Sequence, residues 1–403
     1  MAVATTQALP VAIIGAGVAG LALAVMLRRQ GVGVSLFEAR PREALNEGAF
    51  LTLAPNGVNA LRALGLAGRI SALGIRTLGF EIMNAAGRRL VQLDERQSMQ
   101  EAGAESVTLK RSDLLGALLD EALALGADIR FGHALAGIQD RPDSVHLAFA
   151  NGSTADAAWL AGCDGVWSRV RRLCFPASPD PVYTGLTGVG GVVDLPFVEP
   201  TDGLMHMVFG DQAFFGYIKS DDGPVFWFDS FPLDEAAAMA KPDPAQLAAT
   251  VRRLHAGDPP AVRRIVETFT HIPRGYPVFD MRHLPQWHSG RVVLLGDAAH
   301  AVSPHAGQGA SMAIEDAVVL AACLDATPLP AQAFAAFQTL RQDRVEHIVK
   351  VSRRIGSQKQ TKGRVALFLR DLILPFFIRL GSRTTRAVTR YRADLAPLEK
   401  PSI

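Results

Sequence analysis

The sequence predicts an α/β fold in which a parallel-sheet domain is interrupted by a mostly antiparallel sheet domain and followed by C-terminal helices. Three observations point there. Residues 11–38 run from a short apolar stretch, Val11-Ala12-Ile13-Ile14, through Gly15-Ala16-Gly17-Val18-Ala19-Gly20 into a helix-like segment closed by Gly31, then into Val34-Ser35-Leu36-Phe37-Glu38. This reads as a compact βαβ unit. Further strand and helix units are predicted around 107–131, where Leu114, Leu115, Leu118, Leu119, Ala122 and Leu123 share a helical spacing, and around 290–323, where VVLL leads into Gly296-Asp297, a loop and a small-residue helix from Ser311. Residues 76–93 and 177–275 differ in texture, with aromatic-rich strands such as LMHMVF, AFFGYI and VFWFDSF, and the Pro-rich run Phe175–Pro181 marks a crossing between domains. The expected division is a discontinuous first domain (1–75, 94–176 and 276–337), an inserted sheet domain (76–93 and 177–275) and a basic helical segment over 338–403.

The composition suits a soluble globular chain. Its 403 residues are 49% hydrophobic and 20% charged, with 37 Gly and 24 Pro, which excludes a collagen-like or wholly disordered protein. A net charge of +2 argues against a nucleic-acid binder. That balance hides an asymmetry: from Gln338 onward there are 15 Lys and Arg against 5 Asp and Glu. This tail reads as a helix packed across the two domains, in preference to a peripheral membrane or partner contact. The apolar stretch Val365–Leu380 contains Arg370, Asp371, Pro375 and Arg379, so it is not expected to cross a bilayer. Residues 8–27 are uncharged, but Pro10 and the glycines divide them into strand, turn and helix. Cys163, Cys174 and Cys323 fit neither a disulfide framework nor a metal site, and the N-terminus has no basic leader, so a cytoplasmic setting is expected.

The glycines of the first unit have a specific use. A pyrophosphate must approach the backbone closely: Gly15 permits the tight turn, Gly17 the approach, and Gly20 the packing of helix on strand, while the helix N-terminus offers N–H groups and a positive dipole end. Glu38, at the end of the next strand, is placed for a ribose hydroxyl, and the whole reads as a Rossmann-like dinucleotide site. A second cluster, Asp164, Gly165, Ser168, Arg169 and Arg172, could equally be a strand ending in an Asp-Gly turn before a basic helix. The third places Asp297 at a strand end, then Pro304, then Gly307-Gln308-Gly309 at a helix start.

Taken together, these three stretches resemble the fingerprints of the class A flavoprotein monooxygenases, the single-component FAD-dependent aromatic hydroxylases typified by p-hydroxybenzoate hydroxylase and including salicylate hydroxylase-like and tetracycline-inactivating enzymes. The resemblance extends to Arg111 in an Arg-x-x-Leu pattern and to EGAFLTLAPNGVNALRALGL, and covers roughly residues 11–345. It implies a p-hydroxybenzoate hydroxylase-like fold and tightly bound FAD. Gly15, Gly17, Gly20 and Glu38 would hold the ADP half, Arg111 the ribose or pyrophosphate region, and Asp297 the ribityl chain. Pro304 and the Gly307–Gly309 backbone, including Gln308, would lie against the isoalloxazine, Gly48 and Ala49 would border its movable side, and Asp164 would serve FAD and its reduction. A second complete Gly-x-Gly-x-x-Gly unit is not found, so NADPH or NADH is expected to visit transiently. The tryptophan motif of flavin halogenases is also not found.

The implied reaction is reduction of FAD by NAD(P)H, addition of dioxygen at flavin C4a, and delivery of one oxygen atom from the hydroperoxide to an electron-rich aromatic or polyketide-like ring. The protein's part is to exclude water and orient the substrate. Candidate pocket residues are Met205, Met207, Phe209, Phe215, Trp227 and Phe228, of which strand alternation lets only one face line a cavity. His206, Tyr217 and His305 are the candidates for proton handling, whereas His300 reads as structural. Epoxidation, Baeyer–Villiger oxidation, dehydrogenation and a flavin-holding binding protein stay open as alternatives. Substrate, regiochemistry and the choice of NADH or NADPH are not legible.

Overall fold

The computed structural model describes residues 9–240, 242–361 and 363–393, with the backbone alone for 379–385. A six-stranded sheet orders His288–Ser289, Val292–Leu294, Leu160–Gly162, Val11–Ile14, Val34–Phe37 and Asp128–Arg130, all parallel except the first pair. All four residues of Val11–Ile14 are buried, as a parallel strand covered on both faces requires, and this is why the stretch is apolar without alternation. The helix Val18–Arg29 packs against Arg111–Ala124 and Gly309–Ala326. Leu21, Leu23, Leu114, Leu118, Ile314 and Leu320 are sealed in the same core.

Register brings the distant motifs together. Ile14 pairs with Gly162, and Gly162 with Leu294, so three neighbouring parallel strands end in one row. The turns that follow them, at Gly15, Asp164 and Gly296, therefore occupy the carboxyl edge of the sheet, where open α/β sheets bind their ligands. The cysteines lie inside this domain: Cys163 and Cys323 are buried, Cys174 is half-buried, and none is in a disulfide.

The second sheet has seven strands in the order Tyr276–Asp280, Val182–Val193, Val225–Pro232, Phe214–Lys219, Leu204–Phe209, Gly79–Asn84 and Arg89–Asp94. Only the Leu204–Phe209 and Gly79–Asn84 pair is parallel. This sheet runs one strand past residue 275, because Tyr276–Asp280 pairs along Val182–Val193. Its outer face is covered by the helices Pro244–Leu254 and Pro260–Glu267. Two three-stranded sheets complete the molecule; one, Phe50–Leu53, Ser106–Lys110 and Ile75–Thr77, carries Phe50 to the inner face of the large sheet.

The basic tail ties the two sheets together. Residue 338 falls inside one 29-residue helix, Pro330–Gln358, so no element boundary separates tail from domain there. Arg353 of this helix pairs with Asp280, and Gln360 just beyond it donates to the Thr184 carbonyl at 2.8 Å. From the next helix, Arg364–Thr389, Arg370 donates to the carbonyls of Phe209 and Gly210 at 2.9 and 3.0 Å. The opposite side of that helix exposes Val365, Phe368, Leu372 and Phe376. Among the described residues no helix is long and apolar enough to cross a membrane.

Candidate functional site

The glycine turn is built as its sequence requires. A Cβ on Gly15, which has φ +105°, would stand 2.4 Å from the Cys163 carbonyl oxygen, and one on Gly20 would stand 1.9 Å from the carbonyl oxygen of Gly15. A Cβ on Gly17 would meet nothing within 4 Å, so this face of the turn is open to a close-approaching ligand. Gly17 caps the helix Val18–Arg29 without any side-chain bond, leaving its N-terminal dipole unclaimed. Glu38 is buried behind the turn: Oε2 accepts from the Ala16 N–H at 2.8 Å, and Oε1 from the Arg40 N–H at 3.0 Å.

Asp297 follows Gly296 and opens the short helix Asp297–His300. Its carboxylate is solvent-accessible and takes no hydrogen bond from any described group. Desolvation by the surrounding protein raises its pKa, while His300 and Arg111 pull it down. A carboxylate in a walled cleft with free lone pairs suits the hydroxyls of a ribityl chain. Arg111 belongs to the same cleft. Its guanidinium donates to the Glu47 carbonyl at 3.1 Å and its backbone N–H to Ala49 at 3.3 Å, and a Cβ on Gly48 would stand 3.2 Å from its Cδ. Burial and Arg40 lower its pKa, and Tyr276, Asp297 and Glu38 oppose that shift.

Asp164 lies at the same edge but its carboxylate is already committed. It accepts from Ser168 Oγ at 2.5 Å and from the N–H groups of Arg169 and Val170 at 2.6 and 3.0 Å, capping the helix Arg169–Cys174. Its backbone, against Gly15, is what borders the turn. Arg171, which no pattern in the chain singles out over Arg169 or Arg172, is the buried one, donating to the Ala298 and Val166 carbonyls at 2.7 Å.

Beyond the cleft, Pro304 is exposed in a turn that ends at Gly307, φ +62°, where a Cβ would meet nothing within 4 Å. Gly309 begins an 18-residue helix, Gly309–Ala326, so its free N–H groups face the loop. The Gln308 side chain is buried, its Oε1 accepting from Asn56 Nδ2 at 2.9 Å. A buried ion network holds this helix in place. Asp316 accepts from the Gly296 N–H at 2.9 Å, from His300 Nε2 at 2.6 Å and from Arg341 Nε at 2.8 Å, and Glu315 pairs with Arg341 and Arg344. Although burial opposes ionisation, His300 and Arg341 hold Asp316 down at about 2. His300 is thus structural, fixing the Gly296–Asp297 turn to two helices.

The large sheet sorts the remaining candidates by face. The row Gly190–Phe228–Gly216–Met207 and its neighbours Ser230–Phe214–Phe209 and Val192–Phe226–Ile218–Met205 lie on one side. Phe50 meets Phe226 and Phe228 at 5.3 and 6.0 Å from this side, so it faces the cleft domain. Gly216 makes room for an aromatic side chain here: a Cβ on it would stand 2.3 Å from the Phe228 ring. Met205, Met207, Phe209 and Phe228 are on this inner side.

His206, Tyr217, Phe215 and Trp227 occupy the alternate rows and face away, a correction to all four assignments. Trp227 stacks on Phe269 at 4.1 Å, and His206 Nδ1 bonds Tyr217 Oη at 3.0 Å. Burial lowers the His206 pKa and pushes Tyr217 up to about 12. This outer layer also contains a pairing that no sequence pattern indicated: His255, fully buried, bonds Asp258 at 2.6 Å and Asp229 at 3.0 Å. Burial would lower its pKa, yet the two carboxylates raise it to about 10. Asp258 also titrates upward through burial; with two carboxylates for one imidazole, the proton resides on His255.

Fold and site together define a flavoprotein of the single-component aromatic hydroxylase architecture. Residues 8–350 match the FAD binding domain family, and the chain belongs to it. It is 32% identical over 395 residues to aurachin C monooxygenase/isomerase of Stigmatella aurantiaca, covering 97% of this chain and 99% of that protein. It is 33% identical to 3-amino-4-hydroxybenzoate 2-monooxygenase of Streptomyces cremeus over 86% and 87% of the two chains. Among solved structures, Klebsiella pneumoniae HpxO complexed with FAD and uric acid superposes with a TM-score of 0.83 at 26% identity, covering 94% of this chain and 97% of that one.

Proposed function

We propose that this protein is an FAD-dependent monooxygenase that hydroxylates an electron-rich aromatic small molecule, taking electrons from transiently bound NADPH or NADH and oxygen from dioxygen. One observation supports it above others: an open glycine turn and an unpartnered carboxylate, Asp297, share one sheet edge, and Phe50 of the same part of the chain meets an aromatic face of the large sheet. The relatives named above, which act on aminohydroxybenzoate and aurachin substrates, support the reaction class. A cytoplasmic setting is part of the proposal and draws on three cysteines free of disulfides.

FAD, when bound, would supply the redox and oxygen-activating chemistry; the balance is NAD(P)H, a proton, dioxygen and substrate to NAD(P)⁺, water and hydroxylated product. The chain's residues do the rest. The Val18 helix N-terminus and the open side of Gly17 receive the pyrophosphate, Glu38 the ribose and Asp297 the ribityl hydroxyls. The N–H groups at the start of Gly309–Ala326 stabilise negative charge on the ring system. Phe50, Met207 and Phe228 exclude water and fix the plane of the substrate.

The test is direct. Purified protein should be yellow, and an aromatic substrate should accelerate NAD(P)H oxidation while ¹⁸O from labelled dioxygen enters the product. Colourless protein that does not bind added FAD, or product oxygen derived from water, would overturn the proposal.

A further inference from the structure

Lys359 follows the helix Pro330–Gln358 and is only 8% exposed. Its ammonium lies 3.6 Å from the centroid of Phe214 and 5.9 Å from that of Phe228, two rings of the inner side of the sheet. Among the described residues it donates no hydrogen bond and pairs with no carboxylate. Asp229 acts on it through the sheet, but Asp229 lies in the outward rows and is held by His255. Two other polar atoms on this side are buried without partners. They are Ser230 Oγ, opposite Phe214 in register, and His305 Nε2, whose ring packs so tightly on Gly356 that a Cβ there would come within 2.4 Å.

A buried cation without a counter-charge is costly, and contact with two aromatic faces recovers only part of its lost hydration. An anionic oxygen would give the ammonium its counter-ion, and His305, close enough for Lys359 to act on it, and Ser230 on the same side are donors still without partners. We propose that Lys359 positions and selects the substrate by pairing with an ionised carboxylate or phenolate oxygen on an aromatic ring, which then lies over Phe214 and Phe228 beside the loop Pro304–Gly309. This rests on the monooxygenase reading and adds to it a substrate class, aromatic acids in preference to neutral rings.

The surroundings fix the pH behaviour. Burial lowers Lys359 to about 7, with Asp229 opposing. From the loop, His305 stays neutral, its pKa lowered to about 3 by burial and by Lys359. From the C-terminal helix, Arg370 is paired with Asp371, and on its own helix Arg353 is paired with Asp280. At pH 8 the amine is mostly uncharged in the free protein. An ionised ligand raises its pKa, so binding takes up a proton from solvent.

The experiment uses FAD-loaded protein and calorimetry at pH 8 in two buffers of different ionisation enthalpy, with benzoate, nicotinate and anthranilate as probes, each against its neutral amide. At least one acid should bind about 10-fold or more tighter than its amide and take up close to one proton. Lys359→Met should keep FAD, melt no lower than wild type, and lose both the preference and the proton uptake. No preference for any acid, or a preference and proton uptake that survive in Lys359→Met, would overturn the proposal. Should that variant fail to fold, acid binding by the wild type without proton uptake would overturn it. Failure of the oxygenase reading looks different: no oxygen transfer in either protein, with the binding data intact.

Discussion

Both sides of the seven-stranded sheet are aromatic and both have histidine and a buried lysine beside them, yet they are finished differently. On the outer side, His255 is clamped by two aspartates, Lys219 donates to the Leu195 and Val198 carbonyls, and His206 bonds Tyr217. On the inner side, Lys359, Ser230 and His305 have no such partners, and Gly216 yields its space to the Phe228 ring. Partnered histidine and lysine nitrogens, more than residue type, set the outer layer apart from the inner one, although Asp229 Oδ1 is buried without a partner on the outer side too.

The largest effect should come from breaking the finished side. His255→Ala leaves two buried carboxylates facing each other and should cost about 3–5 kcal/mol in denaturant unfolding, with little change in turnover per folded molecule. The sign of the pH dependence follows from its pKa, raised above the unfolded value to about 10. Its stabilisation is complete below about pH 6.5 and fades as the pH rises through 10, a trend the alanine variant should lack. Next, Asp297→Ala removes the free carboxylate of the cleft and should weaken FAD binding about 10- to 100-fold by flavin fluorescence titration, with the fold intact by circular dichroism.

Gly356→Ala probes the inner side, because its methyl meets the His305 ring at 2.4 Å and must displace it. KM for the aromatic substrate should rise about 3- to 10-fold while FAD affinity stays unchanged, since about 1 kcal/mol is a typical overpacking cost. The smallest change should be Tyr217→Phe, which removes one outward-facing hydrogen bond: about 0.5–1.5 kcal/mol in stability and less than about twofold in kcat/KM. A tenfold fall in kcat/KM would return Tyr217 to the reaction.

The cleft was legible because its motifs are local: each glycine turn is specified by a few consecutive residues, and parallel register then aligns Gly15, Asp164 and Gly296. The faces of the large sheet were not. Phe214–Lys219 is buried at every position, so no alternation of polar and apolar residues shows which side looks inward. Lys359 was hidden among the many cations of the tail. The Asp316 and Arg341 pair was equally obscure, since a charge inside a helix normally reads as a solvated face and here is fully buried.

The buried sulfurs have a chemical consequence of their own. Burial pushes the Cys174 and Cys323 thiols up to about 11, and burial with neighbouring Asp164 raises Cys163 well above its usual range. Thiolate is the form of cysteine that peroxide oxidises, so hydrogen peroxide spilled by an uncoupled catalytic cycle finds these three sulfurs unreactive. The same silence makes alkylation a clock for unfolding: iodoacetamide should label the native protein slowly and all three positions at once when the domain opens.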